Sequence, residues 1–228
     1  MLNRLNVYYN GWGESWLWGT LISSTATTGR PTIAFEYSPE AIQQGVELSS
    51  YLLPLKGLPF RQGFPTHQMG LPGPVYDALP DGWGMMLMDR YFKKIGLNSA
   101  RIGPLERLTY ISSHAMGALS FEPCVADMQT SENIPLQQLA QEVQEVLKGE
   151  GGEFLQHLLV MGGSPHGARP HAWGSRNPVN LEFSTQDSDQ HEAWLIKFPA
   201  QQEHPEVCAI EAVYAECLRL CAIETPDT

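Results

Sequence analysis

Residues 159–172 read LVMGGSPHGARPHA, and residues 193–200 read AWLIKFPA. The first stretch is a glycine-dense turn, and the second is an apolar strand with Lys197 at its centre. Backbone N–H groups in such a turn can approach an anion closely, because glycine has no side chain to block them. A lysine on a nearby strand could neutralise the same anion. The two segments together predict an anion-binding corner.

The final helix, predicted over residues 206–222, supplies a second charged group. Its apolar stripe at helical spacing consists of Val207, Tyr214, Leu218 and Cys221. Glu211 falls inside that stripe, so we expect its carboxylate to face the core. A buried carboxylate without a partner is costly, and the nearest strand cation is Lys197. The pattern therefore predicts an ion pair between Glu211 and Lys197.

Composition and charge narrow the class of protein. The chain has 228 residues, is 43% hydrophobic and carries a formal net charge of −11. Such a charge repels nucleic acids and anionic lipids, and we find no local basic patch to offset it. The N-terminus lacks an export signal, and no apolar stretch reaches the length of a membrane span. We expect a cytoplasmic protein with no direct nucleic-acid binding and no membrane contact.

The remaining pattern predicts an α+β fold in two units, residues 1–124 and residues 134–228. Strands are expected at 5–9 and 16–21 around an Asn10–Gly11 turn, then at 32–37, 111–121, 180–183 and 194–198. Helices are expected after Ser38, on both sides of an elbow at residues 80–82, and at 136–148, 153–160 and 206–222.

A short helix, a glycine turn, a hairpin with a central lysine and a helix with an inward glutamate follow one another as in a kinase-type N-lobe. The chain resembles the HipA family, the serine/threonine-kinase toxins of bacterial type II toxin-antitoxin systems. Six segments carry the resemblance: LLPLK at 52–56, PVYDALPDGWG at 74–84, ISSHAMGALSFEP at 111–123, GGSPHGARPHA at 162–172, WLIKFP at 194–199 and EAVYAECLRLCAIETP at 211–226.

The resemblance implies a HipA-like N-terminal α+β subdomain followed by an incomplete protein-kinase-like N-lobe. It implies that Lys197 binds the phosphates of ATP, that Glu211 holds Lys197, and that Ser164, Gly167 and Ala168 belong to the ATP-binding loop. It further implies ATP and Mg²⁺ as cofactors. In the family the loop serine is autophosphorylated, which inactivates the kinase, so Ser164 is the expected regulatory site.

Two residues depart from the family pattern, and one set of residues is missing. His166 stands where relatives often have a small residue, and His171 stands where they usually have lysine. Because histidine is mostly uncharged at neutral pH, one phosphate-facing charge is lost. The catalytic and metal-binding aspartates of the family belong to a C-terminal lobe, so we assign no catalytic residue and no metal ligand within this chain.

Two functions follow from the resemblance. In the first, the chain is the N-terminal portion of a HipA-like kinase toxin, inactive without its C-lobe, with a HipB-like antitoxin as partner and an aminoacyl-tRNA synthetase as substrate. In the second, it is a non-catalytic partner or antitoxin-like subunit of a split system, and a separate polypeptide supplies the C-lobe or is inhibited by this chain.

The same residues also allow structural interpretations. The glycines could end a helix and begin a loop, and Lys197 could protect an exposed strand edge. Glu211 would be solvated if the helix were rotated by half a turn. Ser164 precedes a proline, which is typical of an ordinary turn.

Two other candidate sites are not favoured. His157, His166 and His171 have a metal-like spacing, but no cysteine or carboxylate completes the set within the loop. Asp77 and Asp81 flank the helix elbow, and we expect them to cap helices rather than to act as an acid/base pair.

Overall fold

The structure is a computed structural model that describes residues 2–25, 31–55, 60–111, 117–125, 132–162, 167–186, 188–204 and 206–228. Its strands are β1 (Arg4–Gly11), β2 (Glu14–Thr25), β3 (Pro31–Tyr37), β4 (Phe60–Gln62), β5 (Leu119–Glu122), β6 (His171–Arg176), β7 (Phe183–Ser184) and β8 (Glu192–Lys197). Its α-helices are α1 (Pro39–Gln44), α2 (Gly73–Tyr76), α3 (Gly82–Lys94), α4 (Pro104–Leu108), α5 (Leu136–Lys148), α6 (Leu155–Gly162) and α7 (Val207–Leu220). The predicted α+β class is confirmed.

The first sheet is antiparallel and has the strand order β4-β3-β2-β1-β5. The hairpin that opens it turns at Trp12 and Gly13, which both have positive φ, and not at Asn10 and Gly11 as predicted. Asn10 stays in the ladder, where its side-chain amide donates to the Ser120 hydroxyl on β5 at 2.6 Å. That cross-strand bond favours the longer hairpin.

Local capping signals locate several helices correctly. The Ser38 hydroxyl accepts a hydrogen bond from the Ala41 N–H at 2.9 Å, so α1 begins where expected. Gly149 adopts the left-handed conformation that ends α5. The helix α4 was not predicted. Of the strand predicted at 111–121, only the C-terminal part is a strand among the described residues, and it belongs to β5. Residues 112–116 lie outside that description.

The second sheet has the order β7-β6-β8 and is also antiparallel. Strand β6 was not predicted, although it pairs with β8 along six residues. Its sequence HAWGSR shows no alternation of apolar and polar residues, and its burial pattern does not alternate either. Gly174 leaves room for the Phe183 ring on β7, since an added Cβ would lie 2.0 Å from that ring.

Helices join the two sheets. α6 packs against both α3 and β6. The buried apolar side chains of α3 and α6, among them Trp83, Leu87, Phe92, Leu158 and Leu159, belong to one hydrophobic cluster. The division into units at residues 124 and 134 stays a prediction.

Within the part of the chain that the structure describes, no helix combines the length and the apolar character needed to cross a membrane.

Candidate anion-binding site

The predicted ion pair between β8 and α7 is present. The Lys197 ammonium donates to the Glu211 carboxylate, and the two side chains are 44% and 43% exposed. Their surroundings differ from the prediction, because α7 has no buried residue along its length. Tyr214 and Leu218, expected in the core, are both exposed. Glu211 therefore meets its cation at the surface and not in a low-dielectric core.

Arg169 adds a second cation to the same carboxylate. One of its nitrogens lies 3.8 Å from Glu211 Oε2, and another forms a 2.8 Å ion pair with Glu203. The pKa of Glu203 is lowered because its carboxylate accepts the Ala200 N–H, and the hydrogen bond from Arg169 lowers it further. The sequence analysis missed Arg169, although its place directly after Gly167 and Ala168 could have indicated it.

The end of the glycine turn is attached to the helix elbow. The Gly167 N–H donates to Asp81 Oδ1 at 2.7 Å, and the Gly167 carbonyl accepts the Trp83 N–H at 3.1 Å. Asp81 occupies the N-cap position of α3, but its side chain makes no capping bond to that helix. The expectation that Asp81 caps a helix is therefore wrong, because its carboxylate is turned toward Gly167.

His171 lies directly across the ladder from Lys197 and is 5% exposed. Its Nδ1 is 2.8 Å from the Arg169 carbonyl oxygen, while its Nε2 is buried without a hydrogen-bond partner among the described residues. The imidazole thus lies beside the charged network without joining its ion pairs.

The predicted loop residues divide into two groups. Ser164 and His166 fall outside the described residues, whereas Gly167 and Ala168 fall within them. In the described part of the chain, no three His, Cys, Asp or Glu side chains lie close enough together to hold a metal ion.

The geometry brings four parts together: the end of a glycine turn, two partly exposed cations and the carboxylates that hold them. Arg169 and Lys197 keep about half of their side-chain surface in solvent. Guanidinium and ammonium groups held in this way are suited to contact an anion. The arrangement can neutralise a phosphate-like group at the end of the turn.

Comparison with known families assigns one segment of the chain. Residues 13–122 match the family model of the HipA N-terminal domain. The N-terminal portion of the chain is therefore a HipA N-terminal domain. No curated protein matches the chain.

The HipA N-terminal domain ends, by this match, with the last residue of β5. It includes Asp81 and Trp83, which hold the glycine turn, but not Gly167, Lys197 or Glu211. The candidate site is therefore built from residues beyond the match. The HipA N-terminal domain contacts it through the hydrogen bonds of Asp81 and Trp83 with Gly167.

Proposed function

We propose that the chain is the N-terminal portion of a HipA-like serine/threonine protein kinase toxin, and that its residues after the HipA N-terminal domain form an incomplete kinase-like N-lobe. The observation that carries this proposal is the ion pair between Lys197 and Glu211. In protein kinases, a strand lysine held by a helix glutamate contacts the ATP phosphates. The same two residue types meet here, on a strand and on the helix that follows it.

The residues at the end of the glycine turn support phosphate binding. Gly167 has φ of +141°, a conformation that side-chain-bearing residues rarely adopt, and no described residue lies within 4 Å of the position that its Cβ would take. Open space at this backbone allows an anion to approach. Arg169 adds a positive charge directly after Gly167 and Ala168, near position 171, where the family usually has a lysine and this chain has a histidine.

The phosphate part of ATP fits these residues better than Mg²⁺ does. Gly167, Ala168 and Lys197 would hold the phosphates, and ATP would supply the phosphoryl group for transfer. We assign no Mg²⁺ ligand and no catalytic residue to this chain, so phosphoryl transfer requires a C-lobe. Ser164 remains the proposed regulatory phosphorylation site by family resemblance.

Nucleotide titration tests this function. We expect the 228-residue chain to bind ATP with Mg²⁺ weakly in calorimetry, and Lys197→Ala to weaken binding about tenfold or more, since a hydrogen bond to a charged group contributes about 1.5–3 kcal/mol. Lys148→Ala is the matched control, because Lys148 is an exposed lysine at the end of α5. Equal affinities of the wild type and Lys197→Ala would remove Lys197 from the site.

A second candidate function is a non-catalytic subunit of a split system. The observation that favours it is the apolar outer face of α7, whose exposed residues are Ile210, Val213, Tyr214, Leu218 and Leu220. Contiguous exposed apolar surface of this kind marks protein–protein interaction sites. A separate C-lobe polypeptide or a HipB-like antitoxin is the proposed partner.

Reconstitution distinguishes the two functions. The DNA downstream of the coding sequence is translated, and any kinase C-lobe that it encodes is produced as a separate polypeptide. Binding of that polypeptide to this chain, with phosphorylation of an aminoacyl-tRNA synthetase by the mixture only, would favour the split system. A downstream frame that resumes within the same gene, and a C-lobe that does not bind, would favour the N-terminal portion of one kinase.

A further inference from the structure

Helix α3 and the glycine turn complete each other's hydrogen bonds. The first N–H groups of an α-helix have no partner within the helix, and a side chain at the N-cap usually accepts one of them. In α3 the Trp83 N–H is accepted instead by the Gly167 carbonyl, at 3.1 Å. In return, the Asp81 carboxylate accepts the Gly167 N–H at 2.7 Å. Gly167 thus caps the first turn of α3, and the N-cap residue of α3 in turn binds the Gly167 N–H.

The two backbones are in direct contact at this point. Gly82 has φ of +30°, and a Cβ on it would lie 2.7 Å from the Gly167 carbonyl oxygen and 2.8 Å from Ala168 Cα. Those atoms are backbone, so they cannot swing aside as a flexible side chain would. Only glycine at position 82 allows the elbow to approach the turn this closely.

A second hydrogen bond attaches the elbow to β6. The Trp83 indole, 2% exposed, donates to the His171 carbonyl oxygen at 2.9 Å in a buried setting. The elbow therefore holds both the end of the glycine turn and the first residue of β6. His171 in turn pairs with Lys197 across the ladder. A continuous set of contacts leads from Asp81 to the strand that carries Lys197.

We propose that Asp81 is the positioning residue of the end of the glycine turn, Gly167 and Ala168. Its carboxylate fixes the backbone of Gly167 to the HipA N-terminal domain, and so sets the geometry in which Gly167, Ala168 and Lys197 receive an anion. The anion-binding part of this inference rests on the proposed function. The attachment of Gly167 itself does not.

Asp81 could affect anion binding in two ways, through its hydrogen bond to Gly167 and through its negative charge, and two substitutions separate them. A carboxylate beside the turn repels a phosphate through its charge while it holds the turn through its oxygen. Asp81→Asn keeps a side-chain oxygen that can accept the Gly167 N–H and removes the charge. Asp81→Ala removes both. If positioning is the role of Asp81, the asparagine variant retains ATP affinity and the alanine variant loses it.

The test combines amide exchange with nucleotide titration on the full 228-residue chain. Without nucleotide, we expect the Gly167 amide to exchange about tenfold faster or more in Asp81→Ala, because a hydrogen bond to a charged group is lost, and to stay near the wild-type rate in Asp81→Asn. With ATP and Mg²⁺, we expect about tenfold weaker binding by Asp81→Ala and wild-type or tighter binding by Asp81→Asn. Glu150→Ala, which removes an exposed carboxylate elsewhere, should change neither quantity.

Two results would overturn the proposal. One is unchanged Gly167 exchange in Asp81→Ala. The other is equal loss of ATP affinity in Asp81→Ala and Asp81→Asn. Gly82→Ala gives an independent check, since its added methyl group should push Gly167 away and speed exchange while Asp81 is intact. If no variant or wild-type chain binds ATP, the proposed function fails, and the exchange rates still decide whether Asp81 holds the turn.

Discussion

Lys197 at the end of β8 donates a hydrogen bond to Glu211 on α7, and both side chains keep more than two fifths of their surface in solvent. Ion pairs between exposed side chains contribute only about 0–1 kcal/mol to stability. The pair therefore contributes little to holding the fold together. Its effect is to orient the ammonium group beside Arg169 and the end of the glycine turn.

Removing the lysine should separate binding from stability. We expect Lys197→Ala to change the free energy of unfolding by less than about 1 kcal/mol, because the pair is exposed. Urea unfolding followed by tryptophan fluorescence measures this change. A loss of several kcal/mol would mean that the ion pair is structural, and its proposed role toward phosphate would lose its main support.

A different ion pair, within the HipA N-terminal domain, should matter much more for stability. Arg107 is 8% exposed, pairs with Asp89 at 2.8 Å, donates to the Ser99 carbonyl and lies 5.4 Å above the Phe92 ring centre. We expect Arg107→Ala to lower the free energy of unfolding by about 2 kcal/mol or more, since packing and hydrogen bonds are lost together.

The control for that change is Arg101→Ala, which removes an exposed arginine from the neighbouring 3₁₀ turn at Ser99–Arg101. Its unfolding midpoint in urea should stay near that of the wild type. Equal midpoints for the Arg107 and Arg101 variants would show that burial and the Asp89 contact add no stability.

Acidification should weaken the fold through His157. Burial lowers the pKa of His157 below its ordinary value of 6.5, and its Nε2 has no hydrogen-bond partner among the described residues. Below about pH 6.5 the unfolded chain therefore binds a proton more readily than the folded chain does. The free energy of unfolding should fall as the pH drops from about 6.5 toward the lower pKa of the folded state.

Thermal unfolding of His157→Gln between pH 7 and pH 5 checks this origin. The variant should lose less stability over that range than the wild type, because the buried imidazole is gone. His67→Gln, at an exposed histidine, serves as the control. If the wild type and His157→Gln lose the same stability on acidification, His157 does not cause the effect.

The isolated chain should associate through α7 and the free edge of β8. We expect its average mass in sedimentation to rise with concentration, because a row of large apolar side chains on α7 is exposed and β8 pairs only with β6 among the described strands. Val213→Glu combined with Leu220→Glu should return it toward the monomer. A wild-type chain that stays monomeric at all concentrations would contradict this prediction.

Short-range sequence signals predicted the ends of helices better than they predicted which side chains are buried. Ser38 and Gly149 mark helix ends through bonds within a few residues, so α1 and α5 could be located from sequence. Glu211 shows the limit: helical spacing indicates which residues share a face, but not what covers that face. The strand β6 depends on its pairing with β8 and on the space for Phe183 beside Gly174. Neither contact can be predicted from the residues of β6 alone.

The candidate site follows the same division. The contact between Lys197 and Glu211 was predicted correctly, but the prediction rested on a buried Glu211, and the structure shows that this carboxylate is partly exposed. The partner of Asp81 could not be predicted, since Gly167 is 86 positions away in the chain and no local pattern links the two residues. Arg169 was missed because its partners, Glu203 and Glu211, lie more than 30 positions later in the chain, after β8.

The most direct test of phosphate binding is nuclear magnetic resonance of the labelled chain during titration with ATP and Mg²⁺. We predict saturable shifts of the Gly167 and Ala168 amides and of the Lys197 side-chain ammonium signal, all with one dissociation constant. Saturable shifts confined to other residues, or no shifts at millimolar nucleotide, would contradict the proposed site.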